Sequence, residues 1–522
     1  MLMAMVKLTV VLLTIISTSY SSSAYKILVI FPLPTKSHNN LGNGVVRHLL
    51  NAGHEVTYVT PFPKHKTIPN YHEVDLSSNE NIVPKERMNL TNIMIQKNDW
   101  MKNYLFFMGL MFATKSIEHE NFQKLLADHN QEFDLIIAEW MFSELYAGIA
   151  KIYDAPLIWF LSIEPHWMIL STIDEYLNPA YNVYDVEELP PLSFIHRLNE
   201  LWFTIKQTVL RETVILYMTY EEHYRLIVPH IVSRWKILPS FEELRYNASL
   251  VLGNSHVSMG QAVRLPQNYK PVGGFHIDDN IMPLPEDLKK MIEEAKHGVI
   301  YFSMGSNLNS KDMPLEIKKG LLKLFATLKQ IVIWKFEEDL SDKPKNVYIT
   351  KWAPQQSILA HPNVLMFITH GGLLSTTEAI YAGKPIIGIP VFADQFSNIA
   401  RAVNRGFGKK VDLSYSLADE LKIAIEDILN DPKYALKAKE LSFIHHHRPV
   451  KPGSEIVHWA EHVIITKGAP HLRSPALMVP WYQKMYLDLA VVLILAAIVV
   501  TLIYKQIKSI FVNKIPSKKK IN

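Results

Sequence analysis

The chain has 522 residues, of which 48% are hydrophobic and 20% are charged, with a formal net charge of +4 at pH 7 and no cysteine. Its length predicts about two domains, since single cores stop growing near ~250 to 300 residues. The composition excludes a disordered or fibrous protein, gives no sign of nucleic acid binding, and rules out disulfides, cysteine catalysis and thiolate metal sites.

The N-terminus has the pattern of a secretory signal. Lys7 precedes the apolar stretch Leu8–Ile16, and small residues follow up to Ala24. We expect residues 1–24 to be a signal peptide. An uncleaved anchor is the alternative, although the apolar stretch is shorter than the ~17 to 20 residues that a membrane span needs.

Apolar runs alternate with helix-like stretches in the first half of the chain, which predicts a parallel sheet. The four strand-like runs are Lys26–Phe31, Val56–Thr60, Leu135–Ala138 and Leu157–Leu161. Helices are expected near 43–51 and 142–152. The aromatic-rich residues from about 178 to 240 are helical in pattern, and we interpret them as shaping a pocket or cap.

A second β-α series follows the glycine- and proline-rich residues 272–285, where we place a linker. Five runs in it are strand-like, namely Val299–Phe302, Ile331–Trp334, Val347–Ile349, Leu365–Thr369 and Pro385–Ile389. Helices are expected near 314–328, 355–361, 373–382, 394–404 and 416–429. The sequence therefore predicts two α/β domains, at 25–275 and 286–465. Ligands of such sheets bind beyond the carboxyl ends of the strands.

The C-terminal part has the pattern of one membrane span. A juxtamembrane segment at 466–486 ends in aromatic residues, and the span is predicted at 487–504. The tail at 505–522 carries six lysines and no acid, which predicts a cytoplasmic tail and a lumenal bulk, a single-pass type I arrangement. Lys519 and Lys520 have the spacing of a dilysine signal for the endoplasmic reticulum; the alternative is a plain basic stop-transfer flank.

Two triplets are acceptors for N-glycosylation, beginning at Asn89 and Asn247. Both would lie in the lumenal part, so we expect a glycoprotein.

The most specific pattern lies between residues 352 and 395. It consists of Trp352–Gln356, Thr369–Glu378 and Pro390–Gln395, and a further run extends from His446 to Glu461. These residues resemble the signature of the UDP-glycosyltransferase family of membrane-bound animal enzymes. The resemblance covers nearly the whole chain. It implies the GT-B arrangement of two facing, doubly wound Rossmann-like domains, the first binding the acceptor and the second the UDP-sugar.

The physical properties of this segment agree with the resemblance. Glycines after a strand let the backbone approach a diphosphate, and a following helix directs free N–H groups at it. We expect His370, Gly372 and Ser375 to bind the phosphates. Ser306, in a second turn of small residues, would contact them from the other side.

The remaining donor contacts are assigned by chemistry. Trp352 offers a flat face for uracil, Gln355 can hydrogen-bond the base or its ribose, and Glu378 can accept from ribose hydroxyls. Asp394 and Gln395 would hold the hexose. A structural role is the ordinary explanation for any one of these residues alone; their order and spacing favour a binding site.

The resemblance places the catalytic histidine at His38, in the loop after the first strand, where a histidine can act as general base. The family's second catalytic residue is an aspartate, but this chain has Glu139 at that position. Glu144 is a second candidate for the partner of His38. Alternatively, Glu139 is an acid at a helix N-terminus that interacts with the helix dipole.

We expect transfer without a metal or other cofactor, because the sequence contains no Asp-x-Asp pair. The histidines 445–447 are not a good metal site, since successive helical residues point about 100° apart.

The donor sugar is predicted from one position. Vertebrate relatives that transfer glucuronate have an arginine where this chain has Asn254, which cannot pair with a carboxylate. UDP-glucose is therefore favoured over UDP-glucuronate, although Arg264 and Arg245 lie close enough in sequence to weaken the argument.

The sequence thus predicts an inverting hexosyltransferase that uses a UDP-sugar and a small lipophilic acceptor. The alternatives are a UDP-glucuronate-using transferase, a nucleotide-sugar-binding membrane protein with little activity, and a UDP-sugar epimerase. The oligomeric state is left open, including a homo-oligomer.

Overall fold

The protein is described here from a computed structural model. The structure describes residues 24–513 except for 83–88, 97–98, 175–177, 179, 181–190, 261–262 and 279–280. The predicted signal peptide, apart from Ala24, and the tail beyond Asn513 lie outside the described residues.

The first half of the chain forms a seven-stranded parallel sheet. Its strands are β1 (Lys26–Ile30), β2 (Glu55–Thr60), β3 (Tyr71–Asp75), β4 (Leu135–Trp140), β5 (Leu157–Leu161), β6 (Leu250–Gly253) and β7 (Tyr269–Pro271). They lie in the order β3-β2-β1-β4-β5-β6-β7. From β1 the chain adds strands outward on one side, and from β4 it adds them outward on the other side. The boundary between β1 and β4 is therefore the topological switch point at which ligands bind in such sheets.

The second half forms a six-stranded parallel sheet. Its strands are β8 (Val299–Ser303), β9 (Ile331–Lys335), β10 (Val347–Thr350), β11 (Val364–Thr369), β12 (Ile386–Gly388) and β13 (Gly408–Lys410). Their order is β10-β9-β8-β11-β12-β13, which puts the switch point between β8 and β11.

The predicted strands are confirmed, and most of their apolar runs are buried on both faces. All residues of β4, β5 and β8 are buried, as expected of a parallel sheet covered by helices. Four observed strands are not among the predicted ones. Three of them lack this signal: β3 reads Tyr-His-Glu-Val-Asp at a sheet edge, and β7 and β13 have three residues each. The fourth, β6, is a buried apolar run of four residues that the sequence analysis missed.

Helices cover both sheets and connect their strands. In the first half the helices are Lys36–Asn51, Leu90–Gln96, Asp99–Glu118, Glu120–Ala127, Ala147–Tyr153, Trp167–Leu170, Phe194–Leu210, Leu216–Leu226, Val228–Arg234 and Phe241–Arg245. In the second half they are Glu286–Glu294, Leu315–Ala326, Gln355–Ala360, Leu373–Tyr381, Gln395–Asn404, Leu417–Asn430, Lys433–His446 and Pro452–Ile465.

Two predicted helices differ from the observed ones at their N-termini. The helix expected near residue 43 begins at Lys36, so that His38 lies in its first turn and not in a loop. The helix expected from residue 142 begins at Ala147, because Phe142 has a positive φ of 55°.

The packing of the two halves crosses the predicted domain boundary in both directions. Ile456, Ala460 and Val463 of the helix Pro452–Ile465 belong to the core of the first sheet. Conversely, Leu90 and Ile93 belong to the core of the second sheet. Each half therefore completes the other's core, and the two sheets lie within one compact unit that extends to Arg473.

Residues 474–522 form a second compact unit. Its main element is the helix Leu487–Asn513. Within the described part of the chain, this is the one helix long and apolar enough to cross a membrane, with a candidate span at Leu487–Ile510.

Candidate active site

The carboxyl ends of strands from both sheets meet at one large cavity of about 2040 Å³. Its wall includes the residues after β1, β5, β8, β11 and β12, as the strand-end rule predicts. Ten of the residues proposed from sequence line it, namely His38, Ser306, Trp352, Gln355, His370, Gly372, Ser375, Glu378, Asp394 and Gln395. Glu139 lies behind His38.

His38 and Glu139 are in direct contact. The first turn of the helix Lys36–Asn51 presents His38 to the end of β4, where the Nδ1–H of His38 donates a hydrogen bond to Oε1 of Glu139. The hydroxyl of Ser162, which follows β5, donates to the same oxygen. Glu139 is buried, whereas the side chain of His38 is 18% exposed. The contact leaves Nε2 as the ring nitrogen available to a substrate.

The environment of His38 favours its protonated form. Burial of the ring lowers its pKa, but the negative charge and hydrogen bond of Glu139, with a smaller contribution from Asp394, raise it above the ordinary value of 6.5. The structure therefore combines a histidine of increased basicity with a carboxylate that fixes its orientation.

Glu144 has a different partner. Arg211 donates to its Oε1 over 2.7 Å and the indole N–H of Trp140 donates over 3.2 Å. Burial opposes ionisation of this carboxyl, but Arg211 and Arg245 hold its pKa below the usual range. Glu144 is thus part of a buried ion pair, and of the two carboxyls proposed for His38 the structure brings Glu139 to it.

Two glycine turns enclose His370. Gly305 has a φ of +81°, and a Cβ there would lie 2.5 Å from the His370 ring; a Cβ on Gly372 would lie 2.6 Å from its Nε2. Burial, with Lys335 nearby, lowers the pKa of His370 to about 4. At neutral pH the ring is uncharged, so it can offer an anion a hydrogen bond but no positive charge.

Gly372 also precedes the first turn of the helix Leu373–Tyr381, which carries Ser375. The first N–H groups of a helix have no partner within the helix and point at whatever lies before it. Ser306 is exposed on the opposite turn, after β8. The proposed phosphate residues are therefore arranged around one space at the ends of β8 and β11.

The proposed ribose residues form a hydrogen-bond network. The amide nitrogen of Gln355 donates to Ser375 Oγ over 3.1 Å and to Glu378 Oε2 over 2.5 Å. The amide of Gln356 donates to the other oxygen of Glu378 over 3.1 Å. Glu378 is thereby held in place from both sides at the cavity wall.

Trp352 is 62% exposed and lines the cavity. The ammonium nitrogen of Lys36 lies 5.1 Å from the centroid of its ring, within the range of a cation–π interaction. An aromatic base that stacks on this face would take the place of the ammonium group.

Asp394 and Gln395 are positioned at the start of the helix Gln395–Asn404. Burial raises the pKa of Asp394, although Asn398, which donates to it over 2.9 Å, and His38 both lower it. The side-chain amide oxygen Oε1 of Gln395 accepts from the backbone N–H groups of Val391 and Phe392. Gln395 was expected to offer both donor and acceptor groups; this leaves chiefly its NH₂ group for a ligand.

Asn254 does not lie on the cavity wall formed by the described residues. It is buried, and its amide donates to the carbonyl of Ser162 over 3.1 Å. Of the arginines considered with it, Arg245 is buried against Glu212 and Arg264 is exposed away from the lining. The prediction of a glucose donor from Asn254 therefore lacks the direct contact on which it depended.

Sequence reasoning missed four residues of the site, namely Lys36, Ser162, Glu164 and Arg401. The strand-end rule could have found two of them, because Ser162 and Glu164 follow the correctly predicted strand β5. Lys36 and Arg401 gave no such signal, since they reach the cavity from helices.

The two glycosylation triplets differ in their surroundings. Asn247 is exposed and its Oδ1 accepts from Arg473 over 3.0 Å. Asn89 is half-buried and caps the helix Leu90–Gln96, accepting from the N–H of Asn92. Glycosylation of both stays a prediction.

Comparison with known proteins decides the family. The family model described as "UDP-glucoronosyl and UDP-glucosyl transferase" matches residues 26–521. The chain belongs to this family. UDP-glycosyltransferase UGT5 of Dactylopius coccus is 32% identical over 507 residues, which cover 94% of this chain and 93% of that protein. UDP-glucuronosyltransferase 2B7 of Homo sapiens is 29% identical, with 76% and 73% covered.

Solved structures agree on the fold. The calicheamicin glycosyltransferase CalG4 has a TM-score of 0.54 at 16% identity, covering 86% of this chain and all of that chain. The glycosyltransferase of kitacinnamycin has a TM-score of 0.55, with 86% and 99% covered. The two facing parallel sheets are therefore the GT-B arrangement, and this member of the UDP-glycosyltransferase family is a hexosyltransferase.

Proposed function

We propose that this UDP-glycosyltransferase moves a hexose, with glucose favoured, from a UDP-sugar to a hydroxyl of a small lipophilic acceptor, with inversion at the anomeric carbon. The contact of His38 with Glu139 carries the proposal, because it presents a histidine of raised pKa to the cavity that the family's UDP-sugar segment lines.

The chemistry needs one base and one leaving group. Nε2 of His38 takes the proton of the acceptor hydroxyl as its oxygen attacks the anomeric carbon. The bond between that carbon and the phosphate oxygen breaks, and UDP leaves with the electron pair. Glu139 stabilises the imidazolium that forms and keeps Nδ1 protonated. A single displacement of this kind inverts the anomeric centre.

The donor contacts follow from the arrangement of the cavity. Uracil would stack on Trp352, with Gln355 and Glu378 at the base and ribose. The phosphates would lie between the turn at Ser306 and the helix start at Gly372, and Asp394 with the Gln395 amide would hold the hexose. The phosphate region offers hydrogen-bond donors, and the sequence has no Asp-x-Asp pair, so we propose transfer without a metal ion or other cofactor.

A lipophilic acceptor is supported by the wall on the side of the first sheet. That part of the cavity carries methionine and aromatic side chains, namely Met108, Met111, Phe112, Met141, Phe142 and Trp167. Apolar surface of this kind binds apolar ligands in preference to water.

We further propose a lumenal site in the endoplasmic reticulum membrane. The helix Leu487–Asn513 supplies the span, and lysines follow its apolar part; positive charge marks the cytoplasmic flank of a span.

The test is a transfer assay on the full chain in membranes. UDP-glucose, UDP-glucuronate, UDP-galactose and UDP-N-acetylglucosamine are crossed with several phenols, and His38→Ala is measured beside the wild type. We expect UDP-glucose to be used best, a β-glycoside product, and a loss of about 10² to 10⁴ in kcat for the variant. Full activity of His38→Ala would refute the mechanism. Binding of UDP-sugars without turnover would favour a binding protein, and sugar interconversion without acceptor would favour an epimerase.

A further inference from the structure

A buried carboxyl group at the end of β5 has no role in the proposed chemistry. Glu164 is 9% exposed and lines the cavity. Its Oε1 is buried and has no hydrogen-bond partner among the residues that the structure describes. Leaving a buried carboxylate oxygen unpaired costs free energy, so its place on a ligand cavity calls for an explanation.

Two arginines in the second half of the chain interact electrostatically with this carboxyl group. Arg401 lies on the helix Gln395–Asn404 and lines the cavity; its Nε also lacks a hydrogen-bond partner within the described part of the chain. Arg405, at the end of the same helix, donates from Nε to the carbonyl of Met259 over 3.2 Å and from Nη2 to that of Gly260.

The loop that Arg405 contacts also touches Glu164. A Cβ on Gly260 would lie 2.6 Å from Glu164 Oε2, so the carboxyl group rests against that loop. Burial raises the pKa of Glu164, Arg401 and Arg405 lower it, and Asp394 raises it, and the result is about 7. The Glu164 carboxyl thus interacts electrostatically with both arginines and with the aspartate proposed to hold the hexose.

We propose that Glu164 is a determinant of donor-sugar selectivity: its carboxylate offsets the positive charge of Arg401 and Arg405 beside the hexose, so that the pocket accepts a neutral sugar and disfavours a uronate. This inference rests on the proposed function, since it names the sugar class of the same site. It replaces the argument from Asn254, which is not on the cavity wall.

The physical reason is the charge balance at the sugar. Glucose and glucuronate differ in that the hydroxymethyl group of one is a carboxylate in the other. With Glu164 and Asp394 both present, two carboxylates face two guanidiniums, and a third carboxylate gains no free cation. Without the charge of Glu164, a guanidinium becomes available to pair with the uronate.

The decisive variant is Glu164→Gln, which keeps the size and removes the charge. Dissociation constants of UDP-glucose and UDP-glucuronate are measured on the purified full chain in nanodiscs at pH 8, above the raised pKa of about 7 of the Glu164 carboxyl group. We expect the ratio of the two constants to move toward UDP-glucuronate by about tenfold or more, as expected for one charge in a partly buried site. Glu80→Gln is the matched control, because Glu80 lines the same cavity but is exposed, and its ratio should stay within about twofold of wild type.

Arg401→Gln should move the ratio of the two dissociation constants toward UDP-glucose. In the double variant with Glu164→Gln, it should cancel most of the shift toward UDP-glucuronate. An unchanged ratio in folded Glu164→Gln overturns the inference. If that variant does not fold, an unchanged ratio in Arg401→Gln overturns it instead. Because binding is measured and not turnover, the two proposals fail separately. A wild type that binds both donors but transfers neither refutes the proposed function, whereas the ratio of the two dissociation constants in the variants still decides the selectivity.

Discussion

The contact between His38 and Glu139 depends on where each residue sits in its element. His38 lies in the first turn of a helix and Glu139 near the end of β4. Glutamate has one methylene more than the aspartate expected at this position from the family resemblance. The longer side chain is accommodated in this geometry, and the Ser162 hydroxyl donates to the same carboxylate oxygen as His38. A carboxylate that is buried and fixed by two donors is a suitable orienting group for a histidine base.

The first prediction concerns the pH dependence of this pair. A general base must be unprotonated, and Glu139 raises the pKa of His38 above 6.5, so activity should fall as the pH drops through that raised value. In Glu139→Gln the charge is lost and the pKa decreases. We expect kcat/KM to fall about 10²-fold or more and the acid limb of its pH profile to move to lower pH. Unchanged acid limbs in the two proteins would show that His38 is not the titrating base.

The second prediction concerns the uracil platform. Trp352→Ala should raise the KM for the UDP-sugar by about tenfold, with a smaller effect on kcat, because stacking of a base on an aromatic ring contributes ~1–3 kcal/mol. Trp352→Phe is the matched control and should keep most of the affinity. Steady-state kinetics at saturating acceptor measures both, and equal loss in the two variants would contradict a stacking role.

At the scale of elements, the ends of helices and strands supply most of the site. The helix Leu373–Tyr381 begins beside Gly372, and the turn after β8 faces it. Helix N-termini and glycine turns bind phosphate through backbone N–H groups.

The third prediction follows from this arrangement of hydrogen-bond donors around the proposed phosphate site. Because hydrogen-bond donors are proposed to hold the diphosphate, treatment with EDTA followed by gel filtration should leave the transfer rate within about twofold of the untreated enzyme. A metal-dependent hexosyltransferase, prepared and treated in the same way, serves as the positive control for chelation. Loss of activity that Mg²⁺ or Mn²⁺ restores would contradict metal-free transfer.

A buried ion pair connects two other elements. Arg211 begins the π-helical turn Arg211–Ile215 after the helix Phe194–Leu210, and it reaches Glu144 beyond the end of β4. The two side chains are 6% and 7% exposed. Removal of one partner would leave the other as an unpaired buried charge.

The fourth prediction is a stability measurement on this pair. Glu144→Ala should lower the free energy of unfolding by ~3–5 kcal/mol, whereas Glu120→Ala, which removes an exposed pair with Lys124, should leave the stability nearly unchanged. Because the pKa of Glu144 is lowered in the fold, its stabilising effect is present above its unfolded pKa and is lost as the pH falls through the folded value. Thermal unfolding at pH 7 compares the variants; equal melting temperatures for both would contradict the role of the pair.

At the scale of the whole molecule, the cavity belongs to both sheets and neither half is complete alone. Helix Pro452–Ile465 packs on the first sheet although it follows the second in sequence, and Leu90 and Ile93 pack on the second. A ligand that binds to one wall should therefore stabilise the whole unit that extends to Arg473 as one body.

The fifth prediction measures that coupling. UDP at a hundredfold excess over its dissociation constant should add about 2.7 kcal/mol to the free energy of unfolding, seen as one shifted transition in a thermal melt of the full chain. UMP at the same concentration is the control and should shift the transition less, because it lacks the second phosphate. Two transitions, of which UDP moves only one, would show that the halves unfold independently.

The sequence alone predicted the two parallel sheets, because strands buried on both faces are continuous apolar runs, and it identified the family, because 352–395 keeps its residues at the family's spacing. It also predicted the apolar C-terminal helix. The short or polar edge strands β3, β7 and β13 were missed, since their pairing is decided by neighbours far along the chain. The inner strand β6 was missed as well, although its four residues are buried and mostly apolar.

The tertiary structure decided which residues meet across the cavity. It paired His38 with Glu139 and assigned Glu144 to Arg211, a choice that depends on where β4 and two helices lie in space. It also buried Asn254 against the carbonyl of Ser162 and placed Glu164 and Arg401 on the wall of one cavity. These two residues are 237 positions apart in sequence. They share a cavity only because the two sheets face each other, which no local sequence pattern predicts.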